Sequence, residues 1–156
     1  MIFTATEADK AQIQDITARA GVFSQEEIDS VPVMFDEYLQ YGTEGDGYHF
    51  IVYREDDKVL GYAIFGYRDL TDGVYDLYWI AVDPNARRKG VGRALITASE
   101  EAVRGLGGRI IMVETSGTAE YESTREFYVN TGYVNEAIVK DYYKPGDDLW
   151  IFTKKV

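Results

Sequence analysis

The sequence predicts a mixed α+β domain: a central, twisted, mostly antiparallel sheet of about seven strands with one parallel crossover pair, flanked by about four helices. Three observations predict it. Three runs between His49 and Val82 are rich in β-branched and aromatic residues and separated by short polar turns, which makes a meander. A strand, a helix and a strand follow one another between Val74 and Glu114, which implies a right-handed crossover between parallel neighbours. The chain then closes with two more strand-like runs. With 156 residues it is the size of one ordinary domain, so residues 1–156 are read as a single unit.

Each element has a local cause. After a short extended start, Ile2 to Ala5, the stretch Thr6-Glu7-Ala8-Asp9 has the form of a helix cap, and Ile13, Ile16 and Ala20 follow at helical spacing up to Gly21. Ser24-Gln25-Glu26-Glu27 repeats the capping form. Because proline is tolerated mainly in a first helical turn, Pro32 predicts a short helix, a break near Ser30, and a second helix to about Tyr41. Thr43 to Gly47 reads as a loop. His49–Tyr53 and Val59–Phe65 read as a hairpin joined by Glu55-Asp56-Asp57-Lys58, and the strand from Val74 to Val82 stops at Asp83-Pro84-Asn85. From Gly90 the apolar period changes: Val91, Ala94, Leu95, Ala98 and Ala102 share one helical face until Gly105, Gly107 and Gly108. A strand from Arg109 to Glu114, a helix from Thr118 to Asn130, and strands near Ala137–Tyr143 and Leu149–Thr153 complete the chain.

Composition narrows the function. The formal net charge is -11, and the chain has no cysteine, so neither disulfides nor thiolate-bound metal support the fold, in keeping with a reducing cytoplasm. The start shows no leader pattern, and no apolar window approaches the ~20 residues of a membrane span. Broad contact with nucleic acid is disfavoured, since a phosphate backbone requires a cationic surface. Residues 1–76 hold 16 Asp and Glu against 5 Lys and Arg, whereas residues 77–156 hold 11 of each. The whole excess of negative charge therefore lies in the first half.

Against that background Arg87, Arg88, Lys89 and Arg93 cluster around Gly90 and Gly92. The glycines stand between a strand-ending turn and the first turn of a helix, where main-chain N–H groups lack partners and the helix dipole adds about half a positive charge. Glycine lets a phosphate approach the backbone, so the segment reads as a phosphate site. It is not a Walker loop, and it lacks both the third glycine and the acidic partner of a dinucleotide fingerprint.

The segment Tyr78-Trp79-Ile80-Ala81-Val82-Asp83-Pro84, followed by Arg87-x-x-Gly90-x-Gly92 and Ala94-Leu95, resembles the acetyl-coenzyme A signature of the GNAT superfamily of N-acetyltransferases. Glu126-Phe127-Tyr128-Val129-Asn130-Thr131-Gly132-Tyr133 is similar to the closing helix of that family. The resemblance covers essentially the whole chain and implies a GNAT-like fold and a metal-free transfer of an acetyl group from acetyl-CoA to a primary amine in a ternary complex. It implies that Ile80, Ala81 and Val82 hold the pantetheine arm, that Arg87, Arg88, Lys89, Gly90, Val91, Gly92 and Arg93 form the pyrophosphate loop, and that Tyr128 is the general acid. Asp76 stands where some members carry a catalytic glutamate, and Glu114 is a second candidate base. Where many members have an asparagine this chain has Tyr121, for which Ser116, Ser123 or Arg125 could substitute. His49, the sole histidine, is expected to hydrogen-bond structurally. The acidic first half points to a cationic acceptor, a small amine or a peptide amine. Homodimer formation is left open, and a regulatory module that binds an acyl-CoA without turnover is the alternative function.

Overall fold

The computed structural model describes residues 1–42 and 47–156, so most of the loop expected at Thr43–Gly47 lies outside the described residues. The elements run β1 (Ile2–Thr4), α1 (Lys10–Arg19), α2 (Gln25–Tyr41), β2 (Tyr48–Glu55), β3 (Lys58–Tyr67), β4 (Val74–Val82), α3 (Val91–Gly105), β5 (Ile110–Ser116), α4 (Glu122–Asn130), β6 (Val134–Lys144) and β7 (Asp147–Lys155). They form one seven-stranded sheet in the order β1-β2-β3-β4-β5-β7-β6. Every pairing is antiparallel except β4 with β5, the expected crossover pair.

One helix differs from the sequence reading. Residues 25–41 form a single helix with Pro32 inside it, not two helices broken near Ser30. Pro32 removes one main-chain donor, yet Val31, Phe35 and Tyr38 are buried against Phe50 and Val52, and this packing outweighs the local cost. The start of α2 follows the capping box as written: the Ser24 hydroxyl accepts from the Glu27 N–H at 3.2 Å, and the Glu27 carboxylate accepts from the Ser24 N–H at 2.8 Å. Strands β6 and β7 also run beyond their expected ends, because polar Asn135 pairs with Phe152 and Asp147 with Lys144 through main-chain groups that hydropathy does not register.

The sheet carries a core on each face. Leu60, Ala63, Phe65, Leu77, Leu95, Ile96, Val103 and Phe152 pack on the α3 side, and Ile13, Ile16, Phe35, Phe50, Val52, Tyr62 and Ile64 pack under α1 and α2. Strand β3 serves both, which is why Val59–Phe65 reads as an unbroken apolar run. Gly61 is required there: a Cβ on it would stand 2.9 Å from both the Ala81 carbonyl oxygen and Val91 Cγ1.

Strand β4 departs from regular pairing in two places. A bulge between the Ile64–Trp79 and Phe65–Leu77 pairs leaves Tyr78 unpaired and inverts the alternation. Tyr75 and Leu77 therefore face the α3 core, whereas Trp79 and Ala81 face the α1 and α2 core. The parallel pairing with β5 covers only Val74–Asp76 against Ile110–Met112. Beyond Asp76 the two strands part, and that edge of β4 faces a cleft.

Candidate functional site

The cleft between the parted strands is roofed by the chain that joins α1 to α2. A cavity of about 370 Å³ is lined by Val22, Phe23, Ile80, Val82, Phe127 and Tyr128 among others. It adjoins a second of about 500 Å³ along Arg88, Gly90, Gly92 and Arg93, and the two share Val82, Arg87, Arg88, Gly92, Ser123 and Phe127. The roof is fixed from below. Phe23 packs on Trp79 at 5.3 Å between ring centroids, and the Trp79 indole N–H donates to the Tyr62 hydroxyl at 2.9 Å. Tyr62 in turn shares a 2.5 Å hydrogen bond with Thr17 of α1.

At one end of the cleft the loop before α3 turns through two left-handed residues, Arg88 at φ 62° and Gly90 at φ 79°. A Cβ at Gly90 would meet nothing within 4 Å, so backbone conformation rather than space favours glycine there. Among the described residues the main-chain N–H groups from Arg88 to Arg93 donate to no protein acceptor. The side chains of Arg88, Lys89 and Arg93 are exposed and form no ion pair among those residues. Arg87 differs, because its guanidinium donates to the Ala20 carbonyl at 2.7 Å and ties the loop to the end of α1. A row of free N–H groups at a helix N-terminus with unpaired cations beside it fits a diphosphate.

At the other end Tyr128 is buried against Phe127, Tyr133 and Phe152. Its hydroxyl has no partner among the described residues, yet only Asn135 Nδ2 is both fully enclosed and unpaired among them. Tyr128 is also one of the residues that line the cleft. Burial pushes its pKa well above the ordinary tyrosine value.

The candidate bases lie on the two strands themselves, Asp76 near the start of β4 and Glu114 on β5. Arg68 donates to Asp76 at 2.7 Å and stands 3.7 Å from Glu114, so one guanidinium joins both carboxylates. Nearby, Tyr143 of β6 has its pKa pushed up to about 12, first by burial and then by the charges of Glu114, Asp147 and Glu27, with the Tyr142 hydroxyl also raising it. Tyr121 is likewise raised to about 12 by burial and by Glu27, and its hydroxyl donates to the Val22 carbonyl at 2.7 Å. Acidic residues from both halves of the chain thus meet here, which the charge count by halves did not register.

The structure also places the remaining residues singled out from the sequence. Of the residues considered as substitutes for the missing asparagine, only Ser123 lines the cleft. Ser116 bonds to Asp147, and Arg125 donates to the carbonyls of Ser116 and Thr118 while lying over the Trp150 ring. The His49 ring stacks on Phe65 at 4.8 Å and forms no hydrogen bond among the described residues, and burial lowers its pKa, which favours the neutral ring. Val22 and Phe23 were missed as lining residues, because nothing local marks an apolar pair after Gly21 as a roof.

Asp83 anchors the turn that launches the loop. Its buried carboxylate accepts from Arg19 at 3.0 Å and from the Asn85 N–H at 2.8 Å, and Arg19 holds its pKa down at about 2. A carboxyl depressed in the folded state stabilises the protein above its unfolded value near 4 and loses that contribution as pH falls toward 2. Asp83→Asn is expected to cost about 1–2 kcal/mol at neutral pH and to flatten the stability loss between about pH 4 and 2. Denaturant unfolding as a function of pH checks it.

No helix among the described residues is long and apolar enough to cross a membrane. Searching the curated proteins returns no match. A crystal structure from Desulfovibrio desulfuricans assigned to the GNAT acetyltransferases is 38% identical, covers 99% of this chain and 98% of its own, and superposes with a TM-score of 0.95. The ribosomal-protein-S18-alanine N-acetyltransferase of Escherichia coli shares the fold at 21% identity, with 100% and 93% coverage and a TM-score of 0.75. So does yncA of Salmonella typhimurium, solved with its cofactor acetyl-CoA, at 20% identity, 99% and 92% coverage and a TM-score of 0.78. Residues 12–133 match the acetyltransferase (GNAT) family. With its parted β4–β5 pair and amide-lined loop, the chain belongs to the GNAT family of acetyltransferases.

Proposed function

We propose that this acetyltransferase acts, as one domain in the cytoplasm, on a primary amine of a cationic acceptor, a small molecule or a peptide, and transfers the acetyl group directly in a ternary complex. The observation that carries the reading is the row of N–H groups from Arg88 to Arg93, unpartnered among the described residues, beside a cleft that Tyr128 also lines. Acetyl-CoA supplies an activated acetyl thioester when bound. The loop, with Arg88, Lys89 and Arg93, holds the diphosphate, and the free edge of β4 at Ile80, Ala81 and Val82 offers main-chain groups to the rest of the cofactor. Binding energy from these remote contacts orients the reacting carbonyl.

Tyr128 acts as the general acid. Burial keeps it protonated throughout the neutral range, and its hydroxyl is not committed to another protein group, so it can give a proton to a departing thiolate. Asp76 and Glu114, joined through Arg68, stand near the acceptor end, where one of them takes the proton released by the amine. The acidic surroundings of Tyr121 and Tyr143 attract a cation.

Acetyl transfer to amines of matched size but differing charge checks this. Cationic acceptors are expected to show a kcat/KM about tenfold above neutral ones, shrinking as ionic strength rises through the range where the Debye length falls below about 10 Å. Equal rates at all salt concentrations would remove the charge argument and leave the family assignment standing.

A further inference from the structure

A separate hollow of about 280 Å³ opens past the bulge of β4. Its walls include Glu37 and Tyr41 of α2, Tyr48 of β2, Tyr67 and Asp69 at the end of β3, and Tyr78. The Tyr48 and Tyr78 rings meet at 71° with centroids 5.5 Å apart, so they form two walls nearly at right angles. Among the described residues no lysine or arginine lines the hollow. Neither the Glu37 nor the Asp69 carboxylate has a hydrogen-bond or ion-pair partner among the described residues. Arg68, beside Asp69 in the chain, is committed to Asp76 and Glu114.

Two exposed carboxylates alone would be an ordinary solvated surface. Here they border a concave space walled by tyrosines, whose ring faces carry the negative part of the quadrupole and attract an organic ammonium ion. The position connects the hollow to the reaction. Tyr78 is two residues from Ile80 on β4, roughly 7 Å of strand, and lies on the side away from the phosphate loop.

We propose that this hollow binds a second ammonium group of the acceptor, so that the preferred substrates are diamines or polyamines, held by the distal cation while the nearer amine is acetylated. The inference rests on the acetyltransferase reading of the adjoining cleft. The bulge serves it directly, because the unpaired Tyr78 is the residue that joins the strand bearing the cofactor edge to the wall of the hollow.

Two measurements test it. Steady-state kinetics with straight-chain α,ω-diamines and the matching monoamines are expected to give diamines about a tenfold advantage in kcat/KM. The double variant Glu37→Gln/Asp69→Asn is expected to bring that ratio close to one. Glu55→Gln/Glu101→Gln, an equal loss of charge elsewhere on the surface, is expected to leave the ratio in place. Independently, titration with tetramethylammonium, followed by the ring resonances of Tyr48 and Tyr78, is expected to saturate and to weaken about tenfold in the Glu37→Gln/Asp69→Asn variant. Diamines no better than monoamines, or a ratio unmoved by that variant, would overturn the proposal, as would a titration that does not saturate. If no amine is acetylated while tetramethylammonium still binds and the variant weakens it, the acetyl-transfer reading fails and the hollow stands as an ammonium site.

Discussion

Replacing Tyr128 with phenylalanine is expected to lower kcat by about 10²–10⁴-fold, the range for loss of a positioned general acid, while the affinity for acetyl-CoA stays within about twofold. The change removes a hydroxyl with no hydrogen-bond partner among the described residues and keeps the ring against Phe127, Tyr133 and Phe152, so folding stability is expected to be nearly unchanged. The pH dependence follows from the same burial. Since the folded pKa lies above the ordinary value of about 10, the acid form persists throughout the neutral and mildly alkaline range, and no loss of activity below about pH 10 should trace to Tyr128. Calorimetric binding set beside steady-state turnover separates the effects. Full turnover in the variant would exclude Tyr128 as the acid. Lost turnover with intact binding would also rule out the non-catalytic acyl-CoA binder, which has no use for the phenol.

Gly92→Val is expected to act on the cofactor instead. A Cβ at Gly92 would already lie 3.5 Å from the Phe127 ring and 3.7 Å from Val82 Cγ2, in the neck shared by the two cavities. The two further methyl groups of valine have to occupy that neck, an overpacking of about 3 kcal/mol, which corresponds to roughly a 100-fold rise in the Kd for acetyl-CoA. Gly92 lies in the first turn of α3 with ordinary helical backbone, so the helix itself is expected to survive. Calorimetry with acetyl-CoA, together with a thermal melt to show that the fold is intact, checks it. Unchanged affinity in a folded variant would mean that the cofactor does not pass between Gly92 and Phe127.

The two substitutions also mark how far the sequence could be read. The loop from Arg87 to Arg93 was legible because its chemistry is local: left-handed glycine, a helix N-terminus and clustered cations lie within seven consecutive residues. Even so, the sequence treated its basic side chains alike, and the fold separates them. Arg87 is spent on the Ala20 carbonyl, a residue 67 positions away in the chain. Tyr128 could be paired with the loop only through a family resemblance. Whether it or Phe127 faced the cleft was not written in helical periodicity, and both turn out to line it. The break expected near Ser30 on account of Pro32 failed for a related reason, since a rule about one residue cannot register the apolar face of α2 that packs against the sheet.

By itself the sequence determined the order of the strands, the antiparallel meander, the single parallel crossover and a basic, glycine-containing turn at the start of α3. Each of these depends on hydrophobic period, capping residues or turn chemistry within a few positions of one another. Tertiary structure alone decided that β4 and β5 part after three residue pairs, that a bulge turns Tyr78 out of the ladder, that Arg68 joins Asp76 to Glu114, and that four tyrosines and two carboxylates enclose a second hollow. The physical reason is that a cleft is a space between surfaces. Its shape and charge arise from residues far apart in the chain, brought together by burial of the two cores, and no local pattern encodes where those surfaces fail to meet.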